Sequence, residues 1–110
     1  MPGTVPTGVP CVIDPAVTAP VIGNTFSFSP DNVGSDFSAL FQATGTVTTI
    51  TAQLEVSLDG GTTWAIFVTG ANFFPTNAAT NVKIGIIVGA LYRVNYTAAS
   101  GSIVMRVCSN

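Results

Sequence analysis

The sequence predicts an all-β fold: an antiparallel β-sandwich of jelly-roll or immunoglobulin-like type, with about seven strands and an extended proline-rich N-terminal arm. Three observations predict it. From Thr25 onward the chain is rich in β-branched residues that alternate with polar ones at a period of two. Gly, Pro, Asn and Asp interrupt that alternation at spacings that suit short strands. No segment places its apolar residues at a helical period. The chain has 110 residues, the length of one domain. That is enough to bury roughly two-thirds of the surface its unfolded form exposes, without help from disulfides or metals.

The elements follow in order. Residues 1–24 carry Pro2, Pro6, Pro10, Pro15 and Pro20. Proline fixes φ and lacks an N–H donor, so this stretch forms neither a helix nor a central strand. The apolar residues between the prolines, among them Val5, Val9, Val12 and Ile13, suit an extended arm that lies on a surface, either its own domain or a neighbouring subunit. Residues 25–110 form the β-sandwich domain. Thr25 to Ser29 is its first strand, followed by a turn that starts at Pro30. Phe37 to Thr44 is a second strand. Thr46 to Ser57 is the clearest, with Ile50, Ala52, Leu54 and Val56 on one face and Thr51, Gln53, Glu55 and Ser57 on a wet face. Trp64, Ile66 and Val68 continue the alternation after a tight turn. Thr69 to Thr80 is a long loop, Val82 to Val88 and Tyr92 to Thr97 are strands, Ser100-Gly101 is a turn, and Ser102 to Cys108 is the last strand.

Composition excludes several functions. Charged residues make up 7% of the chain, against about 25% in ordinary domains. Hydrophobic residues make up 47%. The most apolar stretch, Ile84 to Tyr92, is broken by Gly85 and Gly89 and is too short for the about 20 residues that span a bilayer as a helix. No membrane partner is expected. The opening of the chain has no basic, apolar and small-residue succession, so no signal peptide is expected. The only cations are Lys83, Arg93 and Arg106. No basic patch can form from these, so no nucleic-acid partner is expected. A surface with few charges provides little colloidal repulsion and suits a protein whose faces become buried by assembly. Cys11 and Cys108 lie near opposite ends; a disulfide between them is one reading, and two free thiols, in keeping with production in a cytoplasm, is the favoured one.

One local pattern is specific. Ser57-Leu58-Asp59-Gly60-Gly61-Thr62-Thr63-Trp64 fits S-x-D-x-G-x-T-W. Asp59 is suited to accept hydrogen bonds from the N–H groups of its own turn, Gly60 and Gly61 allow positive φ, and Ser57 and Thr63 sit where they can bond across the neck. Trp64 opens the return strand and is expected to bury its ring against Val56 and Ile66. The pattern resembles the Asp-box, a hairpin-turn motif of sialidases and other β proteins. In the sialidases the motif lies far from the catalytic site, so the resemblance implies a turn and no activity. A wider resemblance covers Thr46 to Val107. The same hairpin, followed by Gly89-Ala90-Leu91-Tyr92-Arg93-Val94 and a closing strand, is similar to small β-sandwich virion proteins of tailed bacteriophages. It implies a capsid-decorating or other minor structural protein, located in the virion and made in the host cytoplasm.

The residues of familiar active sites are missing. There is no histidine, so Ser-His-Asp and Cys-His schemes and histidine metal sites are out. The only carboxylates are Asp14, Asp31, Asp36, Glu55 and Asp59, and none is placed to face another across a substrate. Asp31, Asn32 and Asp36 match no EF-hand spacing and read as a turn. Asn95-Tyr96-Thr97 is a glycosylation sequon within a predicted strand and reads as chance. No catalytic residue, cofactor or metal ligand is expected. Tyr92 and Arg93 are candidate interface residues, because Tyr and Arg are enriched at interface hot spots. Phe73 and Phe74 are candidates as well, as a loop pair that either marks a contact surface or folds back into the core. The expected partners are further copies of the chain and other virion proteins. A carbohydrate-binding or adhesive β-sandwich is the alternative, supported by fold class, aromatic content and the Asp-box pattern.

Overall fold

A computed structural model of the chain describes residues 3–29, 38–70, 81–87 and 89–109, without the side chains of residues 81–84. The fold is all-β. Among the described residues, eight strands form one sheet: β1 (Gly3–Val5), β2 (Cys11–Val17), β3 (Val21–Ile22), β4 (Phe26–Phe28), β5 (Ser38–Ser57), β6 (Ala65–Val68), β7 (Asn81–Gly85) and β8 (Leu91–Ser109). Antiparallel pairs dominate, but β1 pairs with β4 in parallel, and Thr7 bridges Ser109 in parallel. The sheet is therefore mixed, which corrects the purely antiparallel expectation.

Two long strands organise everything else. β5 and β8 pair antiparallel from Ala39 opposite Ser109 to Ser57 opposite Leu91. Each merges two stretches that the sequence separates into two strands. Along β8's other edge lie β2 (opposite residues 103–107), β3 (opposite Tyr96 and Asn95) and β4 (opposite Tyr92). β7 pairs with the first part of β5, and β6 with its last part.

The long pair cannot be straight. β5 has 20 residues, which would extend about 66 Å at about 3.3 Å per residue. The molecule is only 36 Å along its longest axis. The bend falls where Gly45 and Gly101 adopt φ of +82° and +102° and the register slips between Val47 and Thr49. A glycine with positive φ beside a register slip is the signature of a β-bulge, which sharpens twist and bends the strand. Ser100-Gly101, expected as a turn between strands, is thus a kink inside one strand.

Bending brings the two ends of the sheet together over a shared core. Phe26 lies 6.1 Å from Phe41 and 6.0 Å from Tyr92, measured between ring centroids. Phe41 and Tyr92 sit near opposite ends of the β5–β8 ladder. Phe28 and Phe67 meet Tyr92 edge-on, at 5.4 and 5.6 Å. Leu54, Val94, Ile103, Met105 and Val107 complete the buried interior.

The N-terminal segment belongs to this body. Its described residues include β1, β2 and β3 and lie on their own domain. Val5, Ile13 and Val17 are buried in the common core. Pro15 sits in β2 at the sheet's edge, where a missing donor breaks no ladder, and within the register slip between Asp14 and Val17. Asp14 anchors the segment. Its side chain is buried, accepts a hydrogen bond from the Tyr96 hydroxyl at 2.6 Å, and accepts the Asn24 N–H at 2.8 Å. Burial, reinforced by the neighbouring Asp14 carboxylate, pushes the Tyr96 phenol far above its ordinary range. Gly23 packs against the Asp14 carboxylate so closely that a Cβ there would collide with it. Tyr96→Phe removes one donor from a buried carboxylate and is expected to cost about 1–3 kcal/mol. Chemical denaturation reads this directly, and an unchanged midpoint would refute the anchoring role.

Cys11 and Cys108 are free. Cys11 pairs with the buried Val107 and packs against the core, whereas Cys108, the next residue along β8, pairs with the exposed Leu40. Successive strand residues point to opposite faces. The two thiols therefore lie on opposite sides of the sheet.

Candidate functional site

The hairpin joining β5 to β6 is built from side chains that bond to backbone. Ser57 is buried; its Oγ accepts the N–H of Gly61 at 2.8 Å and its hydroxyl donates to Asp59 Oδ1 at 2.8 Å. The same Asp59 oxygen accepts the N–H of Thr63 at 2.8 Å and of Thr62 at 3.2 Å. Gly60 and Gly61 have φ of +75° and +97°, which lets the chain reverse around the carboxylate. The Trp64 indole N–H donates to the carbonyl of Gly61 at 3.1 Å. Ser57, Asp59, Gly60, Gly61, Thr63 and Trp64 are all brought together in this turn.

The Thr63 N–H, the Ser57 and Thr63 side chains and then the Thr62 N–H outweigh a small effect of burial and hold the Asp59 carboxyl at about 2, below its ordinary 3.8. A depressed carboxyl pKa contributes stability that is present above pH 3.8 and is lost as pH falls through about 2. The hairpin amides of Thr62 and Thr63 should therefore keep their native NMR shifts at pH 3 and move only near pH 2. Movement centred near pH 4 would mean that the carboxylate is not held by the turn.

Trp64 is not buried against Val56 and Ile66 as expected. Its ring is half-buried, and the Arg93 guanidinium stacks 4.3 Å from the ring centroid. Arg93 Nε donates to Glu55 Oε1 at 2.7 Å. Glu55 Oε2 accepts Gln53 Nε2 at 2.7 Å and Asn95 Nδ2 at 3.0 Å. Glu55 is buried, which corrects its placement on a wet face. Burial alone would raise its pKa. The bonds from Asn95, Gln53 and Arg93, together with the Arg93 charge, prevail and lower it. The amide of Asn95, the residue of the sequon, is engaged in this network. The sequence shows Glu55 and Arg93 but not that they face each other across two strands.

Beside the turn lies an open groove of about 740 Å³. It is lined by residues 3–5, 11–13 and 24–26 and by Gly60, Gly61, Trp64, Leu91 and Arg93. The N-terminal segment, β4, the hairpin and the start of β8 thus contribute to one concavity.

The interface candidates separate into three groups. Val5, Ile13 and Tyr92 are core residues at 1%, 8% and 0% exposure, so they are corrected from contact surface to interior. The Tyr92 hydroxyl accepts the Ile87 N–H at 2.7 Å inside the fold. Val9 and Val12 are 49% and 46% exposed, and Arg93 is half-buried between Glu55 and Trp64. Phe73 and Phe74 lie outside the described residues, as do Asp31, Asn32, Asp36 and the turn at Pro30. Among the described residues no three His, Cys, Asp or Glu side chains come together. No helix there is long and apolar enough to cross a membrane. Compared with protein-family profiles, with curated proteins and with solved structures, the chain matches none.

Proposed function

We propose that this chain is a structural protein of a tailed-bacteriophage virion, one that decorates the capsid and assembles with further copies of itself. In this reading the bent sheet is a rigid β-sandwich of jelly-roll or immunoglobulin-like type, and residues 1–24 supply the contact segment. The observation that carries the reading is the outward side of that segment. Val9, Val12, Val21 and Ile22 are 49%, 46%, 49% and 51% exposed. Their inward neighbours Val5, Ile13 and Val17 hold the segment on the core. A segment fixed on one side and apolar on the other offers a preorganised surface, which reduces the entropy cost of binding. The low charge of the chain and the resemblance of residues 46–107 to phage virion proteins support the same reading.

Deleting the segment would also remove core residues, so the test uses surface substitutions. Light scattering on the full chain should give the mass of a homo-oligomer, and Val12→Asp with Ile22→Asp should shift it toward monomer with the far-UV spectrum unchanged. A second measurement adds the full chain to phage capsids lacking decoration. A wild-type chain that stays monomeric at its highest soluble concentration and leaves such capsids bare would sink the reading.

A further inference from the structure

We propose that the groove between the N-terminal segment and the hairpin is a binding site for a short, uncharged glycan. The site shares Val12 with the contact surface proposed above, but it rests on what lines the concavity and not on the virion reading.

Charge decides the first exclusions. No carboxylate lines the groove, so it offers no negative charge to a cation. Its single charge, Arg93, is already paired with Glu55 at 2.7 Å. An anion there would have to compete with a buried carboxylate for the same guanidinium. An uncharged ligand meets neither obstacle.

The lining also requires a ligand with both apolar and hydroxylated surface. Trp64 presents a half-buried aromatic ring with Arg93 stacked on it, and the half-buried Leu91 adds apolar surface. Thr4 and Thr25 line the same groove, and among the described residues no hydrogen bond engages either hydroxyl. The Asn24 side chain is fixed by its Nδ2 donating to the carbonyl of Ile13 at 2.8 Å, which leaves its Oδ1 as an acceptor. Gly3 and Gly60 leave open space, since a Cβ at either would meet nothing within 4 Å. A purely aliphatic ligand would leave these polar groups unpaired. A sugar ring has a C–H face for an aromatic and apolar wall and hydroxyls at its edge for threonine and asparagine. The volume, about 740 Å³, falls within the range of about 300–1,000 Å³ of small-ligand sites.

Trp64 is the one tryptophan in the chain and lines the groove, so its fluorescence is a probe of binding there. The full-length protein is titrated with maltotriose, cellotriose and chitotriose, each to about 10 mM, which reaches any site whose Kd is about 1 mM or tighter. At least one should produce a saturable change in emission. Gly3→Phe, which fills the groove from open space, should weaken that binding about tenfold or more while the far-UV spectrum is unchanged. Thr25→Val, which removes one hydroxyl, should weaken it less. No response to any of the three sugars overturns the proposal. So does an equal response in Gly3→Phe, which would place the sugar elsewhere. A response confined to an uncharged extended peptide, added as a control, would assign the groove to a peptide and overturn the glycan assignment.

Discussion

Tyr92→Ala is expected to destabilise the fold by about 3–5 kcal/mol, the range for emptying a buried aromatic site. Tyr92 is 0% exposed and stands at the centre of the core. Phe26 stacks on it, and Phe28 and Phe67 meet it edge-on, at centroid distances between 5.4 and 6.0 Å. Each aromatic pair of this kind contributes about 0.5–1.5 kcal/mol beyond its buried area. The three partners come from β4 and β6, which approach from opposite sides of the β5–β8 pair, so no single neighbour can move in to fill the cavity. Tyr92→Phe separates the ring from the hydroxyl. It should cost only about 1–2 kcal/mol, for the lost partner of the Ile87 N–H. Urea unfolding of both variants measures the difference. Equal midpoints for Tyr92→Ala and the parent chain would mean that the ring does not organise the core, and would restore Tyr92 as a surface candidate.

Gly101→Ala should have an effect of similar size from a different cause. Gly101 has φ of +102°, and a side chain in such a conformation costs about 1–3 kcal/mol. A Cβ at this position also collides with the backbone carbonyl of Thr46 and comes within 3.1 Å of the Thr48 N. Backbone atoms of a paired strand cannot yield without breaking the ladder. The sum is expected to reach about 3 kcal/mol or more. Gly85→Ala is the control. Gly85 is exposed, and a Cβ there meets nothing within 4 Å, so the change should stay within about 0.5 kcal/mol. If both alanine variants unfold at the same denaturant concentration, the bend at residues 45–49 and 100–101 is not what shapes the sheet.

The hairpin shows how far local sequence reaches. The side chains of Ser57 and Asp59 are within four residues of the backbone groups they satisfy, and glycine supplies the positive φ at the turn's two central positions. Every term in that geometry is local, so the eight residues define their own shape. The β class is legible for the same reason, since strand alternation is written into neighbouring residues. Proline likewise excludes helix along residues 1–24 and restricts β2 to an edge.

Long-range pairing is a different matter. Gly101 reads as a turn because glycine between two alternating runs is ambiguous. Whether it ends a strand or bends one depends on the partner, here Thr46 to Thr49 across the ladder. Glu55 reads as exposed because alternation alone puts it on the polar face. Its burial comes from Arg93 and Asn95 about forty positions away and from a register slip against β6. Trp64 follows Arg93 rather than Val56. Val5 and Ile13 read as lying on a surface, their own domain's or a neighbour's, and Tyr92 reads as an interface residue, because an apolar residue on a strand is silent about what covers it. Local propensity and turn chemistry thus determined by themselves the β class and the hairpin. Only tertiary structure decided the bend, the buried Glu55–Arg93 pair and the groove, because each is made by residues distant in sequence that meet only once β5 and β8 have paired and folded back.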